Sequence, residues 1–292
     1  MKWVVLSLLT AGASASTDAW TKRFFGHRSA MEMAAFPLAY SLPLFLGSLP
    51  FVTVPPLDAV FWWSFAVSIP LNCVSFYLYM AAIRVSPLSL TLPFLSFTPV
   101  FMILTGFLVL GEVPSPWAVA GMLAVVLGGY LLNAPSMRHG LLGPFTAMRA
   151  EKGTILMVAV ACIYSLSAVV GKKAILHSSP LFFGMFFFPL QNFLLMLWAF
   201  MSRSVDRRFF LSRGSVCRGA LVGLFYYLHV LCHVWAISLT QASYMIALKR
   251  LSVLFGLVYG GILFREEHLR WRFTGAMVMV AGAAAIVLGG HG

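Results

Sequence analysis

Long apolar runs, each near the length that crosses a bilayer, alternate along this chain with short polar breaks. A spanning helix needs about 20 apolar residues, because each residue rises only ~1.5 Å through ~30 Å of hydrocarbon. Runs of this kind start near positions 3, 32, 59, 86, 115, 153, 180, 216, 241 and 270, which predicts ten helices. Helices are expected rather than strands, since each satisfies its own backbone hydrogen bonds in lipid. The predicted class is an all-α membrane protein.

The pattern also repeats. Glu112, Trp117, Gly121 and Gly128 recur as Glu266, Trp271, Gly275 and Gly282, all shifted by 154 positions. At the same offset Ala82, Ile83, Ser89, Phe101 and Gly106 meet Ala236, Ile237, Ser243, Phe255 and Gly260. Five helices per copy is an odd number, so a second copy must enter the membrane from the opposite face, giving two inverted five-helix repeats. The expected organisation is a first repeat over 1–133, a basic linker over 134–152 and a second repeat over 153–292.

Composition agrees: 61% of residues are hydrophobic and only 10% charged, too little polar surface to coat a soluble globule. Lys2, the run Trp3 to Leu9 and Ala13-Ser14-Ala15 resemble a cleavable signal. At an offset of 150, however, Thr21-Lys22-Arg23 matches Gly171-Lys172-Lys173, so the segment is expected to stay as the first helix.

The formal charge of +12 is a matter of position. Fifteen of the twenty Lys and Arg fall in the linker or at the turns after helices 1, 3, 7 and 9, which share one face. By the rule that cytoplasmic loops collect positive charge, that face is expected inside and both termini outside. No soluble basic domain is present to carry a nucleic-acid interface, so membrane lipids, not nucleic acid, are the expected partners of these cations. Cys73, Cys162, Cys217 and Cys232 lack metal-site spacing and read as packing residues.

Gly111-Glu112 closing the fourth helix, followed by a Gly-rich fifth helix and repeated in the second half, resembles the EamA family of the drug/metabolite transporter superfamily. The resemblance covers almost the whole chain and is strongest over 81–132 and 235–286. It implies the fold and a transport function, on amino acids, nucleobases, sugar phosphates, nucleotide sugars or amphiphiles, in an integral membrane protein expected in a bacterial inner membrane. Relatives usually place both termini in the cytoplasm, opposite to the orientation that the charges here suggest.

Lys249 and Arg250 are the sharpest chemical signal, two adjacent cations expected about eight residues into the ninth helix. An unpaired charge at that depth costs about 2.5–3.5 kcal/mol on insertion scales, and intramembrane ions are read first as functional. Arg offers a planar fork for two oxygens, Lys a point charge. The alternative is that both snorkel or pair internally with Asp18 or Glu32. The resemblance extends to plastid organophosphate/phosphate exchangers of the same superfamily. It implies phosphate binding by this Lys-Arg pair, with Tyr226 or Tyr227 in the role of their tyrosine; a further lysine of those exchangers corresponds to Leu95 here.

His229 and His233 stand one turn apart with Tyr226 on the same stripe, a candidate cavity wall for hydrogen bonding or proton relay. With Cys232 on another face they do not make a metal site, and no metal or cofactor is expected. The matching places on the third helix are Asn72, Ser75 and Tyr79. Asp18, four residues before Lys22, reads either as half of a local ion pair or as a proton-coupling carboxylate. Glu112 and Glu266 are expected to cap the helices that follow them, Trp117 and Trp271 to anchor at the interface, and the repeated glycines to let helices approach.

No His-Glu-x-x-His, Gly-x-Ser-x-Gly or Walker loop occurs, which argues against an enzyme and against an ATP-driven pump. The expected function is a secondary carrier of a small phosphate- or carboxylate-bearing metabolite. It would work by alternating access between the repeats, with a counter-anion or protons balancing the cations. The rival is a flippase or scramblase for a phosphate-headed lipid or amphiphile, and a non-transporting receptor is a third reading.

Overall fold

The computed structural model describes residues 1–87, 91–132, 152–202, 205–264 and 273–289. Helix is the only regular structure among these residues. Leaving aside the single turn Arg207–Phe210, the α-helices in chain order are α1 (Lys2–Phe25), α2 (Ala30–Ser48), α3 (Ala59–Val85), α4 (Thr98–Leu110), α5 (Pro116–Leu131), α6 (Lys152–Leu176), α7 (Pro180–Met201), α8 (Arg213–Ser238), α9 (Ala242–Lys249), α10 (Ser252–Phe264) and α11 (Phe273–Gly289). A 3-10 stretch, Leu92–Phe97, leads into α4, and α9 and α10 together occupy the predicted ninth span.

Among the described residues, six helical stretches are long and apolar enough to cross a membrane: Ala30–Phe51, Ala59–Val85, Lys152–Leu176, Pro180–Met201, Arg213–Ser238 and Ala242–Phe264. Phe94–Leu110, Pro116–Leu131 and Thr274–Gly289 are apolar but shorter. The polar content of α1 keeps it out of both groups, and its hydroxyls show how that content is accommodated. Ser7, Thr10, Ser16 and Thr17 donate to the carbonyls of Trp3, Leu6, Gly12 and Ala13, at 2.7–2.9 Å. Folding back on the preceding turn satisfies each donor without water.

The helix starts follow capping chemistry. Asp58, Ser115, Ser179 and Ser212 accept backbone N–H bonds at the first turns of α3, α5, α7 and α8. Ser29 and Glu32 form a reciprocal capping box on α2. α4 ends at Gly111, whose φ of 68° is the left-handed conformation that glycine adopts without a Cβ clash. The predicted fourth helix began near 86; Thr91 is already helical, its N–H bonding to Pro87 O at 3.1 Å, and the span then tightens through Leu92–Phe97 before α-helical bonding resumes at Thr98, with Pro93 and Pro99 lacking the N–H that such bonding uses.

α5 and α11 cross in a glycine clasp. A Cβ on Gly121 would lie 2.6 Å from the Gly282 carbonyl, and one on Gly128 2.6 Å from that of Gly275, with the same distances in reverse. These pairs interchange under the sequence repeat and run antiparallel, and the Ser115 hydroxyl at the start of α5 donates to the carbonyl of Gly289 at the end of α11. Other partnerships are likewise doubled: α3 packs on α6 as α8 packs on α1, and α4 on α6 as α10 on α1.

The turns segregate. Arg28 after α1 lies 3.7 Å from Glu32 and 3.8 Å from Asp206, and accepts from Arg84 at its carbonyl, so the turns after α1, α3 and α7 meet at one end. At the other end Asp58 meets His177 at 2.6 Å, and Glu112 pairs with Lys172, which also donates to Thr240 O. Glu266 and Trp271 lie outside the described residues.

Candidate functional site

α9 stops at Lys249. The Arg250 N–H reaches Ile246 O at 3.1 Å and Ala247 O at 3.2 Å, and the N–H groups of Leu251, Val253 and Leu254 all bond three residues back, at 2.9–3.0 Å. The sequence placed the two cations within one continuous ninth helix; they sit instead at a tightened break between two helices. The first repeat is distorted at the corresponding place: Leu92–Phe97 shifted by 154 is 246–251. Short 3-10 turns within a span mark hinges and binding positions in discontinuous helices.

The two distorted regions touch. Arg250 donates from Nη2 to Thr98 Oγ1 at 3.0 Å, while its Nε finds no partner among the described residues although the side chain is only 4% exposed. Lys249 makes no ion pair among the described residues. Both cations line a cavity of about 120 Å³ by a water-sized sphere, far more than the ~10–15 Å³ needed for one water on that measure.

Eight of the nine residues singled out from the sequence line this cavity: Lys249, Arg250, Tyr226, His229, His233, Tyr79, Asn72 and Asp18; Ser75 does not. Ser75 is fully buried and its hydroxyl bonds back to Leu71 O and Asn72 O, so helix self-satisfaction has claimed it. Tyr227 is bonded to Ser48 at 2.6 Å, which leaves Tyr226 as the cavity tyrosine. Leu95 also lines the wall, keeping apolar the place where the exchangers carry a lysine.

Along α8, Tyr226 meets His229 edge-on at 6.1 Å, and His229 meets His233 at 6.0 Å, forming one continuous stripe. His233 Nδ1 is unpartnered among the described residues. Asn72 donates to Ser167 Oγ at 2.5 Å, tying α3 to α6. Asp18 is only 5% exposed and accepts from Tyr79 Oη at 2.5 Å. It forms no ion pair with Lys22, whose ammonium reaches Ser86 O at 2.6 Å, so the local pair expected from their spacing is not made. Glu32 does not approach the cations either; it caps α2 and accepts from the Asp206 amide at 3.1 Å.

Sequence reasoning overlooked Tyr164, Ser167 and Gln191. Gln191 is 1% exposed with Oε1 unpartnered, a polar group in an otherwise apolar run, which was its visible signal. Phe76, Phe183, Phe187 and Phe188 supply the apolar part of the lining. At one end of the cavity Lys172 is buried against Glu112. Glu112 was expected to cap α5, but Ser115 does that; the second carboxylate oxygen instead accepts from the Ala242 amide at 2.9 Å and so caps α9.

An apolar helical bundle made of two related halves, closing on a buried charged cavity, defines a membrane transporter of the two-repeat type. The EamA-like transporter family matches residues 1–134 and again 151–288, and the chain belongs to that family, within the drug/metabolite transporter superfamily. A solved crystal structure, described only as that of a protein, aligns over 99% of this chain and 98% of its own, with a TM-score of 0.65 and 18% identity. At that identity the likeness concerns the fold. No curated protein matches the chain.

Proposed function

We propose that this transporter is a secondary carrier of a small anionic metabolite, bearing phosphate or carboxylate, which it moves by alternating access between two inverted five-helix repeats that together make ten spans. The observation that carries the reading is Lys249 and Arg250 at a helix break on one buried cavity, with Arg250 Nε unpartnered and Lys249 in no ion pair among the described residues. These two cations share the cavity with a single carboxylate among the described lining residues, Asp18, so positive charge remains uncompensated at a cost, and an anion in the cavity supplies the balance. His233 and Gln191 add unpartnered polar atoms for the neutral part of the ligand. The antiparallel glycine clasp of α5 and α11 supports the inverted arrangement.

The test is thermal stabilisation of purified protein by a panel of phosphorylated and carboxylated metabolites, with Lys249→Ala and Arg250→Ala measured beside the wild type. Stabilisation of the wild type that disappears in either variant supports the anion site. Equal shifts in all three proteins refute it. The phenylalanines on the cavity wall support the second reading, a phosphate-headed lipid or amphiphile, which predicts stabilisation by anionic phospholipid in detergent micelles but by none of the soluble anions.

A further inference from the structure

We infer that Asp18 is a proton site coupled to the anion site, so that anion and proton bind the cavity together and cross as symport. This rests on the anion reading above. The geometry carries it. Asp18 lies on α1, 5% exposed, with one direct hydrogen-bond donor, Tyr79, and no cation within ion-pair distance among the described residues. A single hydrogen bond does not offset the burial of a full negative charge, so the carboxylate depends on the field of Lys249 and Arg250, which line the same cavity.

That dependence creates the coupling. With the cavity empty, the two cations favour the ionised form of Asp18. An anion held by those cations cancels their field and adds repulsion of its own, so Asp18 then takes a proton. By reciprocity, protonating Asp18 raises anion affinity by the same factor.

The other groups around it do not supply an alternative counter-charge. Lys172 on α6 is already matched by Glu112. From α2, Glu32 is at the bundle end with Arg28 and Asp206. Tyr259 on α10 meets α1 at Ser16, 2.8 Å away, and Tyr164 on α6 is a neutral wall residue. His229 and His233 on α8 are the competing titratable pair, since they line the same cavity.

The experiment is calorimetric titration of wild-type protein, Asp18→Asn and Tyr79→Phe with sodium sulfate and sodium benzoate, anions that do not titrate between about pH 6 and about pH 8.5. Two buffers of different ionisation enthalpy give the protons taken up per anion. The wild type should bind more tightly as pH falls, by up to about tenfold per pH unit, with uptake approaching one proton. Asp18→Asn should bind at all pH values as the wild type does at low pH, with no uptake. Tyr79→Phe removes a donor to the charged form, so its midpoint should move to higher pH; a merely structural tyrosine would leave the midpoint in place. Binding without pH dependence overturns the inference and leaves the anion reading standing. A pH dependence that persists in Asp18→Asn and is lost in His229→Gln or His233→Gln also overturns it. Absence of binding by either anion in every protein overturns the inference together with the reading on which it rests.

Discussion

Gly128→Ala should be among the most damaging single-methyl insertions available to this fold. The added Cβ would lie 2.5 Å from Met279 Cγ, 2.6 Å from Met279 N and 2.6 Å from Gly275 O. Met279 can swing its side chain, but the backbone atoms cannot yield, so α5 and α11 must part by about 0.8 Å to reach ordinary contact at 3.4 Å. Overpacking of this kind costs about 1–3 kcal/mol. Close glycine contact is also a chief source of helix association in lipid, where apolar burial drives nothing. Gly47→Ala is the control: nothing lies within 4 Å of its added Cβ, and alanine favours a helix interior by about 1 kcal/mol. Because that gain applies equally at Gly128, the two variants should differ by the overpacking term, about 1–3 kcal/mol, on the order of 2–12 °C in the thermal midpoint measured in one detergent. Gly128→Ala and Gly275→Ala oppose each other at one crossing, so the pair should cost less than the sum of its members. Gly121→Ala, about two turns away, should add nearly independently to Gly128→Ala. Equal midpoints for Gly128→Ala and Gly47→Ala would refute the argument.

Lys172→Met leaves the half-buried Glu112 without its cation and should cost about 1–3 kcal/mol, with Lys172→Met combined with Glu112→Gln recovering a good part, read by thermal unfolding. Arg250→Lys keeps the charge but loses the fork and the bond to Thr98, and should weaken binding of the best-bound anion by about tenfold in titration. The Asp58 carboxyl, at the exposed start of α3, is held below its ordinary value by the Phe61 amide first and by His177 second. Its stabilising effect is therefore present above the ordinary carboxylate value and fades as pH falls through the lowered one. Asp58→Asn should lower the thermal midpoint at neutral pH by about what the wild type loses on acidification, and should abolish that acid-dependent step.

The duplicated sequence made the helical class, the family and the glycine clasp legible, because offsets and apolar run lengths are properties of a single chain. What it concealed depends on contacts between distant segments. The run Ala242–Phe264 is apolar throughout, and no proline marks the break at Arg250; the three-back bonds there are a tertiary outcome. Glu112 was read against its neighbours in sequence, while its partners, Lys172 and the Ala242 amide, are 60 and 130 residues away. Asp18 and Lys22 have ideal spacing for a helical pair, yet Tyr79 and Ser86 O, both near the end of α3, draw them apart. Ser75 shared a stripe with true cavity residues and was lost to its own helix. Ser75 apart, each miss exchanges a local partner for a long-range one, which a one-dimensional pattern does not encode.

The two distorted spans have the same mechanics and different chemistry. Leu92–Phe97 and the break at Arg250 occupy equivalent places in the repeats, but the first carries Leu95-Ser96 where the second carries Lys249-Arg250. The bond from Arg250 to Thr98 joins a charged hinge to an uncharged one across the pseudo-symmetry. On the anion reading, a ligand engaging the Arg250 fork competes for the donor that makes this bond. Binding then loosens the link between the hinges while neutralising the charge that made an empty cavity costly. A carrier needs both effects in the same step, since the loaded state must be free to exchange faces and the state with bare cations must not. Duplicating the hinge while charging only one copy is a simple way for a repeated sequence to obtain them together.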